Sequence, residues 1–228
     1  MDARDARRSC YAFRMELTRE LLEGLPQNGP TDPIEYYRRP LVGRLYRERI
    51  NIGLRMLGDR RFTRALEIGY GAGAVLLAVV PGVDEMHGID LDADPAPVEA
   101  LLRQRGAEAK LRRGSVYDLP YENEAFDLVV CFSVFEHLRE YDKALGEVAR
   151  VLKPQGQFLL GMPAVNRMME AGFRMIGFKG IADIHVTTPA SVAGGFARAG
   201  LRIARRQTLA PVPGLNLYYD WLLEKQQK

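Results

Sequence analysis

A short apolar segment that runs into three glycines constrains the fold of this chain more than any other stretch. Residues 65–74 read ALEIGYGAGA, and residues 75–80 continue as VLLAVV. This pattern predicts a buried strand, a tight turn and a helix. Glycine is needed where the backbone takes a positive φ or approaches a ligand closely. In open α/β sheets, such a turn at the carboxyl end of the first parallel strand binds nucleotide-like ligands.

Strand and helix patterns alternate from this turn to the end of the chain. Apolar runs predict further strands at residues 85–90, 110–116, 126–132, 157–161, 201–206 and 215–223. Helical patterns lie between most of them, at residues 95–105, 140–152, 166–176 and 188–200. The run at 126–132 is almost entirely apolar, as expected of a strand buried on both faces. The alternation predicts an α/β fold with a doubly wound, mostly parallel, seven-stranded sheet.

Helical spacing also precedes the first strand. It predicts a helix within residues 9–24, and a longer helix that starts at Thr31 or Asp32 and runs to about Leu57, with a break near Pro40. We therefore expect residues 1–60 to form an N-terminal helical segment that covers the ligand site. Residues 61–228 are expected to form one globular unit.

The composition is that of a chain with a full hydrophobic core. The chain has 228 residues, 47% of them apolar, and no apolar run approaches the ~20 residues that span a bilayer. No signal-peptide pattern is present, so we expect a cytoplasmic protein. Cys10 and Cys131 show no CxxC spacing, and the three histidines are far apart in the sequence. Neither a disulfide nor a metal site is predicted.

The net charge of +3 is unevenly distributed. Residues 1–64 contain fourteen arginines and nine acidic residues. Such a basic segment can indicate an anionic partner such as a nucleic acid. Because the two signs alternate along predicted helices, solvated helix faces are the preferred interpretation.

The glycine turn alone fits two classes of cofactor. Gly69-x-Gly71-x-x-Ala74 satisfies a loose dinucleotide fingerprint, and Asp90, at the end of the second strand, can bind a ribose diol in either class. A nicotinamide enzyme is disfavoured because the chain contains no Tyr-x-x-x-Lys pair. In addition, Glu67 would place negative charge near a pyrophosphate, whereas near a sulfonium or ammonium the same charge is favourable.

Three later blocks separate the two classes. Residues 114–127 read GSVYDLPYENEAFD, residues 132–138 read FSVFEHL, and residues 147–156 read EVARVLKPQG. With the glycine turn, in this order and at this spacing, they make the chain resemble the class I S-adenosylmethionine-dependent methyltransferases, in particular the type 11 small-molecule group. The resemblance is strong over residues 65–161 and weaker over 185–206. It implies a Rossmann-like methyltransferase fold and S-adenosyl-L-methionine as cofactor, with S-adenosyl-L-homocysteine as product.

The resemblance also implies which residues contact that cofactor. Backbone around the turn would hold its methionyl end, Asp90 its ribose, and Leu91 its adenine. The acid that the family uses near the adenine falls on Ser115, which is a departure, so the Val116 backbone N–H is expected to contribute more. The cofactor-binding residues expected in this way are Glu67, Gly69, Tyr70, Gly71, Gly73, Asp90, Leu91, Ser115, Val116, Phe132 and Ser133.

Three side chains are candidates for a general base. His137 follows the fourth strand, His185 precedes the helix at 188–200, and Asp118 lies in a loop. Each also has a structural interpretation: helix orientation for His137, an ordinary loop position for His185 and a turn for Asp118. We expect that no single base dominates, with His137 and His185 as the tentative catalytic residues.

The methyl acceptor is expected to contact the parts of the chain that resemble the family least. These are the N-terminal helices, including Tyr36, Tyr37 and Arg38, and the methionine-rich apolar segment 166–185. A pocket lined by that segment predicts a small hydrophobic or aromatic acceptor, and plain core is the competing interpretation.

Other functions remain open from the sequence. The chain could methylate RNA or protein, although a nucleic-acid partner is disfavoured. It could instead bind the cofactor without catalysis, and a nicotinamide oxidoreductase ranks last. The acceptor, the methylated atom and the oligomeric state are not predicted.

Overall fold

A single mixed sheet organises the chain. The computed structural model describes residues 14–29, 32–164, 185–210 and 216–226. The strands are β1 Phe62–Ile68, β2 Val83–Asp90, β3 Lys110–Arg113, β4 Phe126–Phe132, β5 Leu152–Pro163, β6 Leu201–Leu209 and β7 Tyr218–Lys225. The helices are α1 Ile34–Arg38, α2 Pro40–Arg55, α3 Ala74–Val79, α4 Pro95–Gln104, α5 Tyr141–Val151 and α6 Pro189–Gly195. Short 3-10 turns occur at Glu20–Leu22, Val80–Gly82 and Phe135–His137.

The order of the strands confirms the predicted sheet. It reads β3-β2-β1-β4-β5-β7-β6, so the strand order reverses between β1 and β4. Strands β1 to β5 pair in parallel, whereas β7 runs antiparallel to both β5 and β6. A reversal of this kind leaves a crevice at the carboxyl ends of the two central strands, which is where open α/β sheets bind ligands.

Both faces of the sheet are buried. One hydrophobic cluster joins the N-terminal residues and helices α2, α3 and α4 to one face, and a second joins α5 and α6 to the other. Successive residues of a central strand point to opposite faces. In β5, accordingly, Leu159 belongs to the first cluster and Leu160 to the second. In the described part of the chain, each helix is too short or too polar to cross a membrane.

The N-terminal region differs in part from the prediction. Residues 14–18 have no regular structure, and only the turn Glu20–Leu22 is helical, so the helix predicted within 9–24 is wrong where it can be compared. The buried residues there, Met15 and Leu17, alternate with more exposed ones, which is an extended pattern. The break near Pro40 is confirmed, because Arg39 is extended, as the residue before a proline prefers.

Several strand boundaries also differ, most clearly those of β3 and β5. Strand β3 ends at Arg113, so Ser115 and Val116 lie in the following loop. Strand β5 begins at Leu152, directly after α5, and includes Pro154 and Gly156, which were expected to precede it. It can do so because its pairing with β4 shifts register between Leu152 and Gln157. The predicted helix at 166–176, like Cys10, lies outside the described residues.

Candidate active site

The glycine turn lies at the end of β1, where it meets the end of β4. Gly69 has φ +80° and Gly73 has φ +85°, values that favour glycine. A Cβ on Gly69 would lie 2.3 Å from Cγ2 of Val134, and one on Gly73 would lie 2.6 Å from Cγ1 of Val98. The first and third glycines are therefore required by backbone conformation and by close packing against β4 and α4.

Glu67 is buried at the end of β1, just before the turn. Its side chain is almost inaccessible, and its Oε2 atom has no hydrogen-bond partner among the described residues. Burial raises the pKa of Glu67 well above its usual range, and the nearby charge of Asp90 adds to the shift. A buried carboxyl without a partner is unfavourable unless a ligand completes it. A cationic group is the ligand that its chemistry fits best.

Asp90 connects the turn to the loop after β2. Its Oδ2 accepts a hydrogen bond from the Gly71 backbone N–H at 2.9 Å. Its Oδ1 accepts from the backbone N–H groups of Asp92 and Ala93 at 2.9 and 3.0 Å. An ionised carboxylate has about four acceptor positions, so one remains for a ribose hydroxyl. The contact with a ribose stays a prediction. The structure adds that Asp90 fixes the glycine turn to the loop after β2 by hydrogen bonds.

Tyr70 of the turn and the residues predicted around the adenine differ in how far they can reach a ligand. Leu91 is 65% exposed beside Asp90, so its side chain offers an open apolar surface. Tyr70 is buried, and its hydroxyl donates to the Ala93 carbonyl at 3.2 Å, so its side chain supports the loop from below. Ser115 Oγ accepts from the Tyr117 backbone N–H at 3.2 Å, and Val116 is buried.

The end of β4 is fixed by contacts with its neighbours. Ser133 has φ +56°, an uncommon value for a residue with a side chain. Its backbone N–H donates to the Gly161 carbonyl at 2.9 Å, and its Oγ lies 2.8 Å from the Tyr218 hydroxyl. The buried ring of Phe132 packs against Gly161. These contacts hold the backbone that was predicted to lie near the methionyl group.

The fold brings the two tentative catalytic histidines together. The rings of His137 and His185 lie 5.3 Å apart, centroid to centroid. Burial, with a smaller contribution from His137, lowers the pKa of His185 to about 4. His185 is therefore neutral and weakly basic at neutral pH. Burial also raises the pKa of the neighbouring Glu136 to about 8, against a hydrogen bond from its own backbone and the charge of Arg49. Asp118 lies in a turn, where its N–H donates to the Ser115 carbonyl.

Two residues of the N-terminal segment contact the turn directly, and sequence reasoning missed both. The Asn28 side-chain amide donates to the carbonyls of Gly71 and Asp94 at 2.9 and 3.0 Å, and its oxygen accepts from the Asp94 N–H at 3.0 Å. The Asp32 carboxyl lies 3.6 Å from the point where a Cβ on Gly71 would stand. The sequence predicts only a loop at these positions. It does not predict the contacts, because they join residues far apart in the chain.

A buried arginine forms a second group that was not predicted. The Arg49 guanidinium lies over the rings of Tyr37, Tyr46 and Tyr218, at 5.5, 4.3 and 5.1 Å from their centroids. The positive charge of Arg49 also acts on the fully buried carboxyl of Asp220. Neither oxygen of that carboxyl has a hydrogen-bond partner in the described residues. Because Tyr218 also contacts Ser133, this group adjoins the predicted methyl-transfer region.

Comparisons with known proteins agree with this geometry. A family model described as a methyltransferase domain matches residues 66–160. An uncharacterized methyltransferase, YcgJ of Bacillus subtilis, is 37% identical over 99 residues, which are 42% of this chain and 39% of that protein. Demethylmenaquinone methyltransferase of Staphylococcus aureus is 30% identical over 116 residues, 50% of this chain and 47% of that protein. The chain thus spans less than half the length of these two relatives.

The similarity of fold extends over more of the chain. The crystal structure of the cyclase SpnF matches with a TM-score of 0.68 and 17% identity, and covers 93% of this chain and 92% of that one. An identity this low supports the fold alone. The match over residues 66–160 confirms the resemblance predicted from the motifs: this segment is similar to the methyltransferase domain family.

Proposed function

We propose that the chain transfers a methyl group from S-adenosylmethionine to a small hydrophobic or aromatic molecule by in-line displacement. The observation that carries this proposal is the buried carboxyl of Glu67 behind the glycine turn, at the reversal of strand order; its Oε2 atom has no hydrogen-bond partner in the described part of the chain. The carboxylate suits a ligand with a positively charged sulfur or ammonium, and it would repel a pyrophosphate.

The residues present fit this cofactor. Glu67 and the backbone of the turn would hold the methionyl end, Asp90 the ribose, and the exposed side chain of Leu91 the adenine. When bound, S-adenosylmethionine supplies a methyl group that its positive sulfur has already activated. The chain therefore has to align the acceptor and exclude water. Alignment alone is worth roughly 7–11 kcal/mol in well-oriented intramolecular reactions.

The contacts of the N-terminal segment support a role in excluding water from the site. Asn28 ties it to the turn and to the loop after β2, and Asp32 lies against Gly71. Helix α2 packs against β5, β6 and β7, next to the end of β4. These contacts support the proposal that residues 1–60 cover the site of the unit formed by residues 61–228.

A small acceptor is supported by two observations. The relative from Staphylococcus aureus is named for a small-molecule substrate. The Tyr218 hydroxyl lies 2.8 Å from Ser133 Oγ, and Tyr218 shares Arg49 with the rings of Tyr37 and Tyr46. This aromatic group next to Ser133 favours an aromatic or apolar acceptor. The methionine-rich segment 166–184, which carries the remaining prediction for the acceptor, lies outside the described residues.

A nucleic-acid acceptor is disfavoured by the contacts of the N-terminal arginines. Arg38 donates to the Leu25 carbonyl and pairs with Glu35. Arg47 donates to the Tyr37 carbonyl, and Arg55 pairs with Glu48 at 2.5 Å. Arginines that are used for internal contacts are less available for phosphates. If RNA were nevertheless the acceptor, binding would fall steeply with salt concentration.

Two measurements test the proposal. In thermal unfolding, S-adenosylhomocysteine should raise the midpoint and NAD should leave it unchanged, because a ligand that binds the native state stabilises it. After incubation with methyl-labelled cofactor and cell extract, the label should appear in the small-molecule fraction. Label in RNA or protein would contradict the proposed acceptor class, and a midpoint shift with no labelled product would indicate binding without methyl transfer.

The role of the histidines has its own test. A general base is worth about 10²–10⁴-fold in rate. We expect His137→Ala and His185→Ala each to reduce turnover less than about 10³-fold while cofactor affinity stays constant. A larger loss in either variant would contradict this expectation.

A further inference from the structure

A carboxylate and two imidazoles meet at the end of β4. One potential ligand atom from each of Glu136, His137 and His185 lies within 4.8 Å of those of the other two. The sequence predicts no metal site because the histidines are far apart in the chain. In the folded chain, His137 and His185 lie next to each other.

The local backbone holds the three residues in place. The N–H groups of Val186 and Thr187 donate to the Glu136 carbonyl at 2.8 and 3.1 Å, and the Thr187 hydroxyl donates to the Leu138 carbonyl. The loop that carries His185 is thereby fastened to the turn that carries Glu136 and His137. Because this backbone is held before binding, only the ligand side chains have to move when the site is occupied, which reduces the entropy lost.

Two atoms of this cluster are buried without a hydrogen-bond partner among the residues that the structure describes. They are Oε2 of Glu136, whose residue is 1% exposed, and Nδ1 of His185. Buried polar atoms are usually satisfied, so two orphans in one cluster indicate a missing ligand. Both atoms are electron-pair donors when Glu136 is ionised and the free nitrogen of His185 is unprotonated, so one cation would satisfy both.

We propose that Glu136, His137 and His185 bind a divalent transition-metal ion such as Zn²⁺, with an open position that takes an oxygen of the methyl acceptor. The second half of this proposal rests on the proposed function. Two imidazoles and one carboxylate favour transition metals over Ca²⁺ or Mg²⁺, which prefer oxygen ligands. His137 is exposed, so the cluster opens to solvent on one side, and three protein ligands with one open position are typical of catalytic zinc.

The ligand atoms, within 4.8 Å of one another, can stand farther apart than those around a bound ion. Around a tetrahedral zinc ion with bonds of about 2.1 Å, ligand atoms stand about 3.4 Å apart. A rotation of the exposed His137 side chain and small shifts of the other two would close the cluster to that size. Val134, two residues before Glu136, packs against Gly69 of the glycine turn. The turn that carries Glu136 and His137 therefore begins next to the proposed cofactor site.

Direct metal binding tests the site without relying on methyl transfer. Untagged protein, stripped with a chelator and dialysed, is titrated with Zn²⁺ by calorimetry and with Co²⁺ by visible absorption. The wild type should bind one ion per chain. Glu136→Gln, His137→Ala and His185→Gln should each weaken binding by at least about 100-fold, since loss of an outer-shell partner alone costs about 10–100-fold. Glu140→Gln, which removes an exposed carboxylate nearby, is the matched control and should bind as the wild type does.

Each outcome bears on the proposal. No binding by the wild type, or equal binding by all four variants, would overturn it. Thermal unfolding with and without Zn²⁺ checks folding, and only the wild type and Glu140→Gln should gain stability. A chain that binds S-adenosylhomocysteine but no metal would contradict this inference and leave the proposed function in place. Metal binding without methyl transfer would support the metal site and contradict the proposed function.

Discussion

The carboxyl of Glu67 combines two properties that rarely occur together: it is buried, and one of its oxygens has no hydrogen-bond partner among the described residues. Leaving such a group uncompensated costs about 1–3 kcal/mol or more. The position was predicted from the sequence as the acid before the glycines. Its burial was not, because burial depends on strands β2 and β4, which pair with β1 on either side.

Replacing Glu67 by glutamine should weaken S-adenosylmethionine binding by about 10–100-fold, because a charged partner of a cation contributes about 1.5–3 kcal/mol. Burial raises the pKa of Glu67, so the free protein holds a proton that cation binding displaces. Affinity of the wild type should therefore rise with pH, by up to about tenfold per unit below that pKa, and the variant should show a flatter profile. Calorimetry between about pH 6 and 8 measures both.

Comparison of two ligands identifies the group that Glu67 contacts. S-adenosylhomocysteine retains the ammonium but lacks the positive sulfur. If the variant loses equal affinity for both ligands, the ammonium is the partner; a larger loss for S-adenosylmethionine indicates the sulfur. Parallel pH profiles for wild type and variant would contradict the displaced proton.

Two glycine substitutions separate a required glycine from an incidental one. Gly69→Ala should lower the free energy of unfolding by about 2–4 kcal/mol, because φ is +80° and the new Cβ would meet Val134 at 2.3 Å. Gly146→Ala, on the exposed face of α5 with nothing within 4 Å, should raise it by about 0.5–1 kcal/mol. Urea unfolding of both variants measures the contrast. A neutral Gly69→Ala would show that the turn relaxes more easily than its packing indicates.

Among the structural elements, the segment before α1 is the one whose role was least predictable. Its sequence gives a loop signal, and the contacts of Asn28 and Asp32 with the glycine turn join residues about 40 positions apart. The Asp32 carboxyl accepts hydrogen bonds from the backbone of Asn28 and Ile34, both at 3.1 Å. It is also close enough to Asp90 for their charges to repel. The segment is therefore coupled electrostatically to Asp90, which also accepts a hydrogen bond from the glycine turn.

The burial of Asp32 gives the segment a pH dependence. Burial raises the pKa of Asp32 to about 6, although hydrogen bonds from the backbone of Asn28 and Ile34 oppose the shift. Between about pH 4 and 6 the folded chain holds a proton that the unfolded chain has released, since a free aspartate has a pKa near 3.9. Stability from this group is thus present at low pH and falls as pH rises through that window.

Asp32→Asn should remove that fall. The wild-type free energy of unfolding, minus that of the variant, should decrease by about 1–2 kcal/mol from pH 4 to pH 7, allowing for solvent around a half-buried carboxyl. Hydrogen bonds that the amide loses change the free energy of unfolding of the variant by the same amount at every pH. The quantity to measure is therefore the slope of the free-energy difference against pH. Urea unfolding at several pH values provides it, and a difference that does not vary with pH would contradict the raised pKa.

At the scale of the whole molecule, the sequence predicts best what depends on local periodicity. The strand β4, the glycine turn and the helix α4 follow from runs of apolar residues and from glycine and proline positions. What it misses depends on tertiary contact. The shift of register that carries β5 past Pro154 and the meeting of His137 with His185 both require the assembled sheet.

The doubly wound arrangement itself makes a prediction about the core. If helices cover both faces of the sheet, neighbouring residues of β5 must both be buried, although they point in opposite directions. Leu159 and Leu160 are each fully buried, in separate clusters. Leu159→Ala and Leu160→Ala should therefore each lower the free energy of unfolding by about 2–5 kcal/mol. Ile203→Ala, in β6 at 44% exposure, is the control and should cost less than about 1 kcal/mol. In a sheet with one solvated face, one of the two leucine variants would behave like this control.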